Sequence, residues 1–364
     1  MGIVDRGRQL YRNVNFQRLL REKSAVSVSE AYDALQAFLP REAPCFSQEN
    51  EIVPEFDVMI IVPVYNVEQY LDQCIDSVLG QKTKYSFQAV FVDDGSTDGS
   101  GEILKNRIKA PHVIISQENR GLSAARNAAV RHISGRYVMF LDSDDYLATD
   151  AVEKLMDAAK QTGADIVEGA HSFFSDEGES TQFQHRTSYG PADYRELFGF
   201  ACGKVIKSEM LKRFCFPEGY LFEDTVMSTL LHPQSRKVFV LPDVVYFYRD
   251  NSMGITHRSK VRKEAVDTFW ITKYCLEERL RRGQNLDSVD YERYLTAAWR
   301  NYERTKELPQ KVQEWIFVLT CKMFEECLPF HYEGREKRMQ MLEKTIRRKS
   351  YRGFCFLLAR WDNI

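Results

Sequence analysis

Between Asp57 and Phe173 the chain alternates short apolar runs with segments of helical spacing. DVMIIVPV (57–64), QAVFV (88–92), HVIIS (112–116) and RYVMFL (136–141) are rich in β-branched and aromatic residues and largely lack polar alternation. In DVMIIVPV that is the pattern of a strand buried on both faces, and the other three runs read as further strands. Val67–Leu79, Ser100–Ile108 and Leu122–Ile133 lie between them with helical spacing, and Val152–Thr162 and Asp165–Phe173 add one more helix and one more strand. Strands alternating with helices over short connections predict an α/β fold, a mostly parallel sheet flanked by helices on both faces. Outside this block the texture changes. Gln9–Lys23 and Ser29–Leu39 read as helices, and Pro40, Pro44 and Pro54 break the pattern after them. Beyond Thr256, Val261–Arg282, Ser288–Thr305, Lys311–Cys327 and Glu336–Arg348 are predicted helices with no strand between them. The expected organisation is an N-terminal helical extension and linker over 1–55, an α/β domain over 56–257 and a helical C-terminal region over 258–364.

A chain of 364 residues suits two domains at about 150 residues each. Its 44% hydrophobic and 28% charged residues are those of an ordinary globular protein. A formal net charge of −2 gives no electrostatic case for nucleic acid or an acidic polymer as partner. The eight cysteines are scattered, with no CxxC pair and no histidine spacing suited to zinc, so reduced thiols in a cytosolic chain are expected. MGIVDRGRQLYRN lacks the apolar core of a secretory signal, and no apolar stretch approaches the ~18 residues that cross a bilayer.

A cytoplasmic location is therefore expected, with contact at the inner face of the cell membrane as its one variant. The segment KTIRRKSYRGFCFLLARW (344–361) motivates that variant, because it mixes Arg347, Arg348, Lys349, Arg352 and Arg360 with Phe354, Phe356, Leu357, Leu358 and Trp361. Packing of these aromatics onto the protein's own core is the competing expectation. Trp270, Trp299 and Trp315 are expected in the core of the helical region, with a homo-oligomer interface as the second possibility.

In open parallel sheets, ligands bind outside the carboxyl ends of the strands. Here those ends carry PVYN (63–66), VDDGSTDGS (92–100), QENRGLSAARN (117–127) and DSDD (142–145). Asp142 and Asp144, at i and i+2 of an extended segment, point to one side. Oxygen-only ligands of this kind suit Mg²⁺ or Mn²⁺, with positions left open for phosphate oxygens. Simpler readings stand beside this one. Asp145 or Thr149 would cap the following helix, and VDDGSTDGS would be only a tight turn. A calcium loop would need a glycine at its sixth position, where DSDDYL has leucine. A phosphatase nucleophile would be expected earlier in its domain.

Taken in order, IIVPVYN (60–66), VDDGSTDGS (92–100), ENRGLSAARN (118–127) and FLDSDD (140–145) resemble the nucleotide-binding half of the family 2 glycosyltransferases with the GT-A fold. The resemblance is close over 57–150 and looser to about 257. It implies a nucleotide-binding half at 56–150 and an acceptor half at 151–257. Pro63, Tyr65 and Asn66 would line the nucleotide pocket, with the Tyr65 ring near the base, and Asp94 beside Asp93 would bind the uracil or ribose edge of a UDP-sugar. Arg126 would approach the diphosphate or sugar. Asp142, Ser143 and Asp144 would form the DxD motif, with Mn²⁺ or Mg²⁺ on the two aspartates.

The resemblance further implies an acidic pair ahead of a helix, here Glu223 and Asp224 in GYLFEDTVMSTLL (219–231). Asp224 would be the general base and Glu223 would orient the acceptor. Lys204 in ACGKVIKSEML (201–211) would precede the acceptor site, where the family pattern has Trp or Asn near Cys202-Gly203. YFYRDNSMGITH (246–257) resembles a loop closing over the donor phosphates, marking Arg249, Ser252 and His257, the last as a further metal ligand. The implied chemistry is a single displacement with inversion, onto a glycan or lipid-linked oligosaccharide. A non-catalytic nucleotide-sugar or glycan binder and a nucleotidyltransferase are the alternatives.

Overall fold

The computed structural model describes residues 16–175, 180–181, 189–251 and 262–361. They fall into two compact units, one over Pro44–Gly254 and the other combining the chain before it with the chain after it.

The Pro44–Gly254 unit is built on one sheet. Its first four long strands are β1 (Glu51–Val64), β2 (Phe87–Asp93), β3 (Val113–Ser116) and β4 (His132–Phe140). β1 lies parallel between β2 and β4, and β3 extends the sheet beyond β2. Seven consecutive residues of β1, Val58–Val64, are buried, so the apolar run predicted from the sequence is the sheet's centre. Helices at Glu68–Leu79, Ser100–Arg107, Leu122–Val130 and Ala151–Thr162 connect and cover these strands. The first of them shows the fit: Leu71, Cys74, Ile75 and Val78 form one apolar stripe, all buried.

β1 is longer than the sequence predicted and takes in residues expected to be linker. Glu51 and Ile52 pair with His132 and Ile133, the register slips before Phe56, and β2 partners begin only at Val58. Pro54, which has no N–H for a ladder, therefore sits at an irregularity instead of ending the strand.

The second half of the sheet departs further from a parallel arrangement. β5 (Tyr146–Leu147), β6 (Ile166–Phe174), β7 (Ser180–Thr181), β8 (Gly190–Ala192), β9 (Lys204–Lys207) and β10 (Val238–Arg249) complete a sheet of order β3-β2-β1-β4-β9-β6-β10-β5. β9 runs antiparallel between β4 and β6, and β10 pairs parallel with β6 and antiparallel with β5. This mixed, helix-flanked sheet positions the site, because β9 and β10 bring later parts of the chain beside the end of β4.

The other unit is helical, with Val28–Phe38, Asp267–Arg281, Ser288–Thr305, Gln310–Cys327, Lys337–Arg347 and Tyr351–Leu358. The N-terminal helix belongs to it: Ser24 bonds Glu314 at 2.7 Å, Tyr32 meets Trp270 edge-on, and Arg41 bonds both carboxylate oxygens of the buried Asp267. Phe354, Leu357, Leu358 and Trp361 are buried, Trp361 stacking on Trp299. Packing onto the unit's own core, the competing expectation for the aromatics of 344–361, is what these four side chains have. No helix among the described residues is long and apolar enough to cross a membrane.

Candidate active site

The polar strand ends fold onto one another through named side chains. Asn66, in the left-handed region at φ 50°, accepts from the Thr97 N–H at 2.8 Å and so ties the end of β1 to the loop after β2. The Glu68 carboxylate accepts from the Gly99 N–H, and Asp93 accepts from the Ser96 N–H. Asp94 is buried, and both of its oxygens are occupied. One accepts from Gln117 Nε2 and the Arg120 N–H, and the other accepts from the Gly121 N–H at 2.8 Å. This carboxylate, expected at a uracil or ribose edge, holds the loop after β3 in shape. Pro63 is a buried partner of Val92, and Tyr65 keeps 46% of its surface exposed beside it.

The DSDD turn after β4 is held from β10. The buried Tyr246 hydroxyl donates to Asp145 Oδ2 at 2.5 Å and accepts from the Asp142 N–H at 3.3 Å. The Arg249 N–H donates to Asp145 Oδ1 at 2.7 Å, and its Nε donates to the Asp144 carbonyl at 2.8 Å. Its guanidinium lies between the Tyr70 and Phe174 rings, 4.4 and 4.5 Å from their centroids. Asp145 is therefore a buried anchor for β10, and Asp150 is the residue at the N-cap of the following helix. Ser143 is buried, and Asp144 Oδ2 accepts from Asn251 Nδ2 at 3.1 Å.

Arg126 joins the two acidic groups. It sits on the helix Leu122–Val130, whose residues Ser123–Asn127 are all buried, and its side chain is 1% exposed. One terminal nitrogen donates to Asp142 Oδ1 at 2.8 Å. The other donates to Glu223 Oε1 at 2.8 Å and to Asp224 Oδ1 at 3.3 Å. Its planar fork spans carboxylates from the end of β4 and from a segment about eighty residues later, a geometry that a lysine would not reproduce. Asn127, next in the chain, clamps that later segment through the backbone N–H and carbonyl of Phe216.

Glu223 and Asp224 follow Phe222, a non-glycine residue at φ 62°, and precede a π-helical turn at Met227–Leu231. Backbone strain and π-turns of this kind concentrate at functional sites. The Asp224 side chain keeps 30% of its exposure while that of Glu223 keeps 12%. Burial raises the Asp224 carboxyl pKa, Glu223 and Asp142 raise it further, Arg126 opposes them, and the result is pushed up to about 7. Burial works against the Arg126 charge, and the three carboxylates outweigh it and hold the guanidinium protonated.

Burial and the neighbouring Asp142 charge raise Asp144, and burial with Asp144 and Asp142 raises Asp145 well above the usual carboxylate range. This crowding of negative charge on oxygen-only donors fits a hard divalent cation. Among the described residues no three Asp, Glu, His or Cys side chains form a group that could hold a metal ion, so Asp142 and Asp144 would need further ligands from outside that set. His257 and Ser252 lie outside the described residues.

Lys204, expected ahead of the acceptor site, is fully buried and ion-paired with the buried Glu168 at 2.6 Å. Tyr246 and Cys202 fell inside segments singled out from the sequence, YFYRDNSMGITH and ACGKVIKSEML, but received no role there. Cys202 bridges to Phe140, two residues before Asp142, and its thiol, pushed up by burial, lies in the field of Asp142, Arg126 and Asp224. Tyr246 lies in β10, whose apolar run is interrupted, and Cys202 lies just ahead of β9 in an isolated bridge.

Comparison with known proteins bears on this constellation. The model of glycosyl transferase family 2 matches residues 59–220. Glycosyltransferase GlyA of Streptococcus pneumoniae serotype 4 is 36% identical over 237 residues, 60% of this chain and 32% of GlyA. The matched stretch thus spans about a third of that relative's length. An uncharacterised glycosyltransferase of Haemophilus influenzae is 35% identical over 176 residues, 45% of this chain and 69% of the relative. Among solved structures, Staphylococcus aureus TarS 1–349 in complex with UDP-GlcNAc superposes with a TM-score of 0.66 at 18% identity, covering 84% of this chain and 91% of that one. At that identity the likeness shows a shared GT-A fold.

Proposed function

The chain belongs to glycosyl transferase family 2, and on that premise we propose that its α/β unit moves a sugar from a UDP-sugar to a hydroxyl of a glycan or lipid-linked saccharide. The observation that carries this reading is the Arg126 network, which brings Asp142 and the pair Glu223/Asp224 onto one buried guanidinium. A transferase needs a group that receives the donor's diphosphate and a base that receives the acceptor's proton, set close together. Asp142 with Asp144 suits the first task and Asp224 the second.

Asp224 takes the proton from the acceptor hydroxyl while that oxygen forms its bond to the anomeric carbon. The bond from that carbon to the diphosphate oxygen breaks, and UDP leaves with the electron pair. Attack and departure on opposite sides invert the anomeric centre. A carboxyl pKa near 7 makes Asp224 a stronger base than an ordinary carboxylate and leaves it largely ionised just above neutrality. Glu223, buried and bonded to Arg126, orients the acceptor hydroxyl. Arg126 balances three carboxylates that would otherwise repel one another. Asp142 and Asp144 would hold Mn²⁺ or Mg²⁺, and such a cation would offset the charge on the departing diphosphate. Tyr65, Asn66 and Asp93 flank the strand ends where the nucleotide would lie. TarS with UDP-GlcNAc on the same fold supports a UDP-linked donor, and the cytoplasm, where such donors are made, is the proposed location.

The test is release of UDP from UDP-glucose, UDP-galactose, UDP-GlcNAc and UDP-GalNAc by the full chain with Mn²⁺, with water or an added methyl glycoside taking the sugar. At least one donor should be cleaved, and Asp224→Asn should end the release. A chain that cleaves none of them, or an Asp224→Asn variant that cleaves as before, contradicts the proposal.

A further inference from the structure

The segment Leu197–Gly203, LFGFACG, leads into β9, and apart from Cys202 none of its residues enters the site described above. It is nevertheless held tightly. Glu168 and Lys204, both with side chains fully buried, form an ion pair at 2.6 Å. The pair clasps one residue of the segment. The Phe198 N–H donates to both Glu168 oxygens at 3.1 and 3.2 Å, and Lys204 Nζ donates to the Phe198 carbonyl at 2.7 Å. A buried ion pair is a weak source of stability compared with apolar packing, so its use here fits a positioning task. The far end is fixed as well. Gly203 has φ 71°, and a Cβ there would stand 2.2 Å from the His171 ring.

What the clamp presents is an aromatic surface. Phe200 is stacked on Phe198, centroids 5.7 Å apart and planes 19° apart, with His171 edge-on to Phe198 at 5.0 Å. Phe200 remains 41% exposed. Its location separates it from a scattered surface residue. Gly199 faces Ser228, on the π-helical turn four residues after Asp224. Cys202, two residues after Phe200, bridges to Phe140 just before the DSDD turn. The Phe200 ring also lies 6.4 Å from His171, whose own ring is 5.3 Å from Tyr246, the side chain that holds the DSDD turn.

We propose that Phe200, backed by Phe198 and His171, is a stacking platform for a sugar ring of the acceptor, held in place by the Glu168–Lys204 clamp; this rests on the transferase reading given above. One face of a pyranose ring consists of C–H groups and is apolar, whereas its rim is hydroxyl. A rigid aromatic face accepts the first and leaves the second free to be aimed at a base. The ligand class is a pyranoside, recognised by ring face rather than by charge, and the clamp fixes the height at which its hydroxyl meets Asp224.

The probes are the methyl β-glycosides of glucose, galactose, mannose and N-acetylglucosamine, titrated onto the full chain by saturation-transfer NMR, with and without UDP and Mn²⁺. At least one glycoside should receive saturation on its ring C–H protons. Its affinity should fall roughly tenfold in Phe200→Ala and return in Phe200→Tyr, the scale expected for one lost stacking contact. UDP affinity, measured by calorimetry, should be the same in all three proteins. A glycoside that binds Phe200→Ala as it binds the unchanged chain overturns the platform, as does a chain that binds none of the four. Failure of UDP to bind counts against the donor reading instead, and the glycoside titration without UDP still decides the platform.

Discussion

At the scale of single residues, the molecule turns on one guanidinium that serves three carboxylates. Replacing Arg126 by Met would leave Asp142, Glu223 and Asp224 facing one another in a buried setting. The expected loss is about 3–5 kcal/mol of stability. It should be larger at pH 8 than at pH 5, because protonation relieves the repulsion, and urea unfolding at the two pH values checks both statements. Asp224 gives a second prediction. Its folded pKa of about 7 lies above an unfolded value of about 3.9, so its contribution to stability is full below the unfolded value and is lost as pH rises through 7. The proposed base role needs the ionised form and runs the other way: turnover should fall as pH drops below about 7, and Asp224→Asn should cost roughly 10²–10⁴ in turnover with UDP affinity nearly unchanged. The sequence named each of these residues but not their connection. Arg126 was expected at a diphosphate or sugar, and no local pattern records that a residue at 126 shares its side chain with 142, 223 and 224.

At the scale of elements, strands were legible where an unbroken apolar run marks them, as in β1, β2 and β4, which are buried over most of their length, and in β3, which is only half-buried. β9 and β10 were not. β9 has four residues, and its two ends are the lysines Lys204 and Lys207, the first buried by its ion pair rather than by apolarity. β10 is interrupted by Pro242 and Asp243 where its pairing with β6 slips. Both strands earned their place through partners far away in the chain, which periodicity does not report. The clamp behind β9 is testable. Lys204→Met leaves Glu168 buried without its cation and should cost about 3–5 kcal/mol, a good part of which Glu168→Leu in the same chain should restore. Gly203→Ala forces a side chain into a left-handed position against His171 and should cost about 1–3 kcal/mol, read as a lower urea midpoint.

At the scale of the whole chain, the class of each unit was readable: alternating strands and helices through the middle, and four helical segments after Thr256. The home of the N-terminal helix was not, because Tyr32 against Trp270 and Arg41 against Asp267 join residues more than two hundred positions apart. The same distance effect left two expectations open for 344–361, and the partners of its aromatics, Trp299 against Trp361 and Phe317 against Phe354, are visible only in the fold. In the proposed reaction Asp142 and Asp144 would receive a cation-bound UDP across the Arg126 network from Asp224. Calorimetric titration of UDP onto the full chain and onto Asp144→Asn, each with Mn²⁺ and with EDTA, tests it most directly. The unchanged chain should bind UDP at least about tenfold more tightly with Mn²⁺, and the folded Asp144→Asn variant should show no such gain. An Asp144→Asn protein that keeps the full gain from Mn²⁺ would contradict the account.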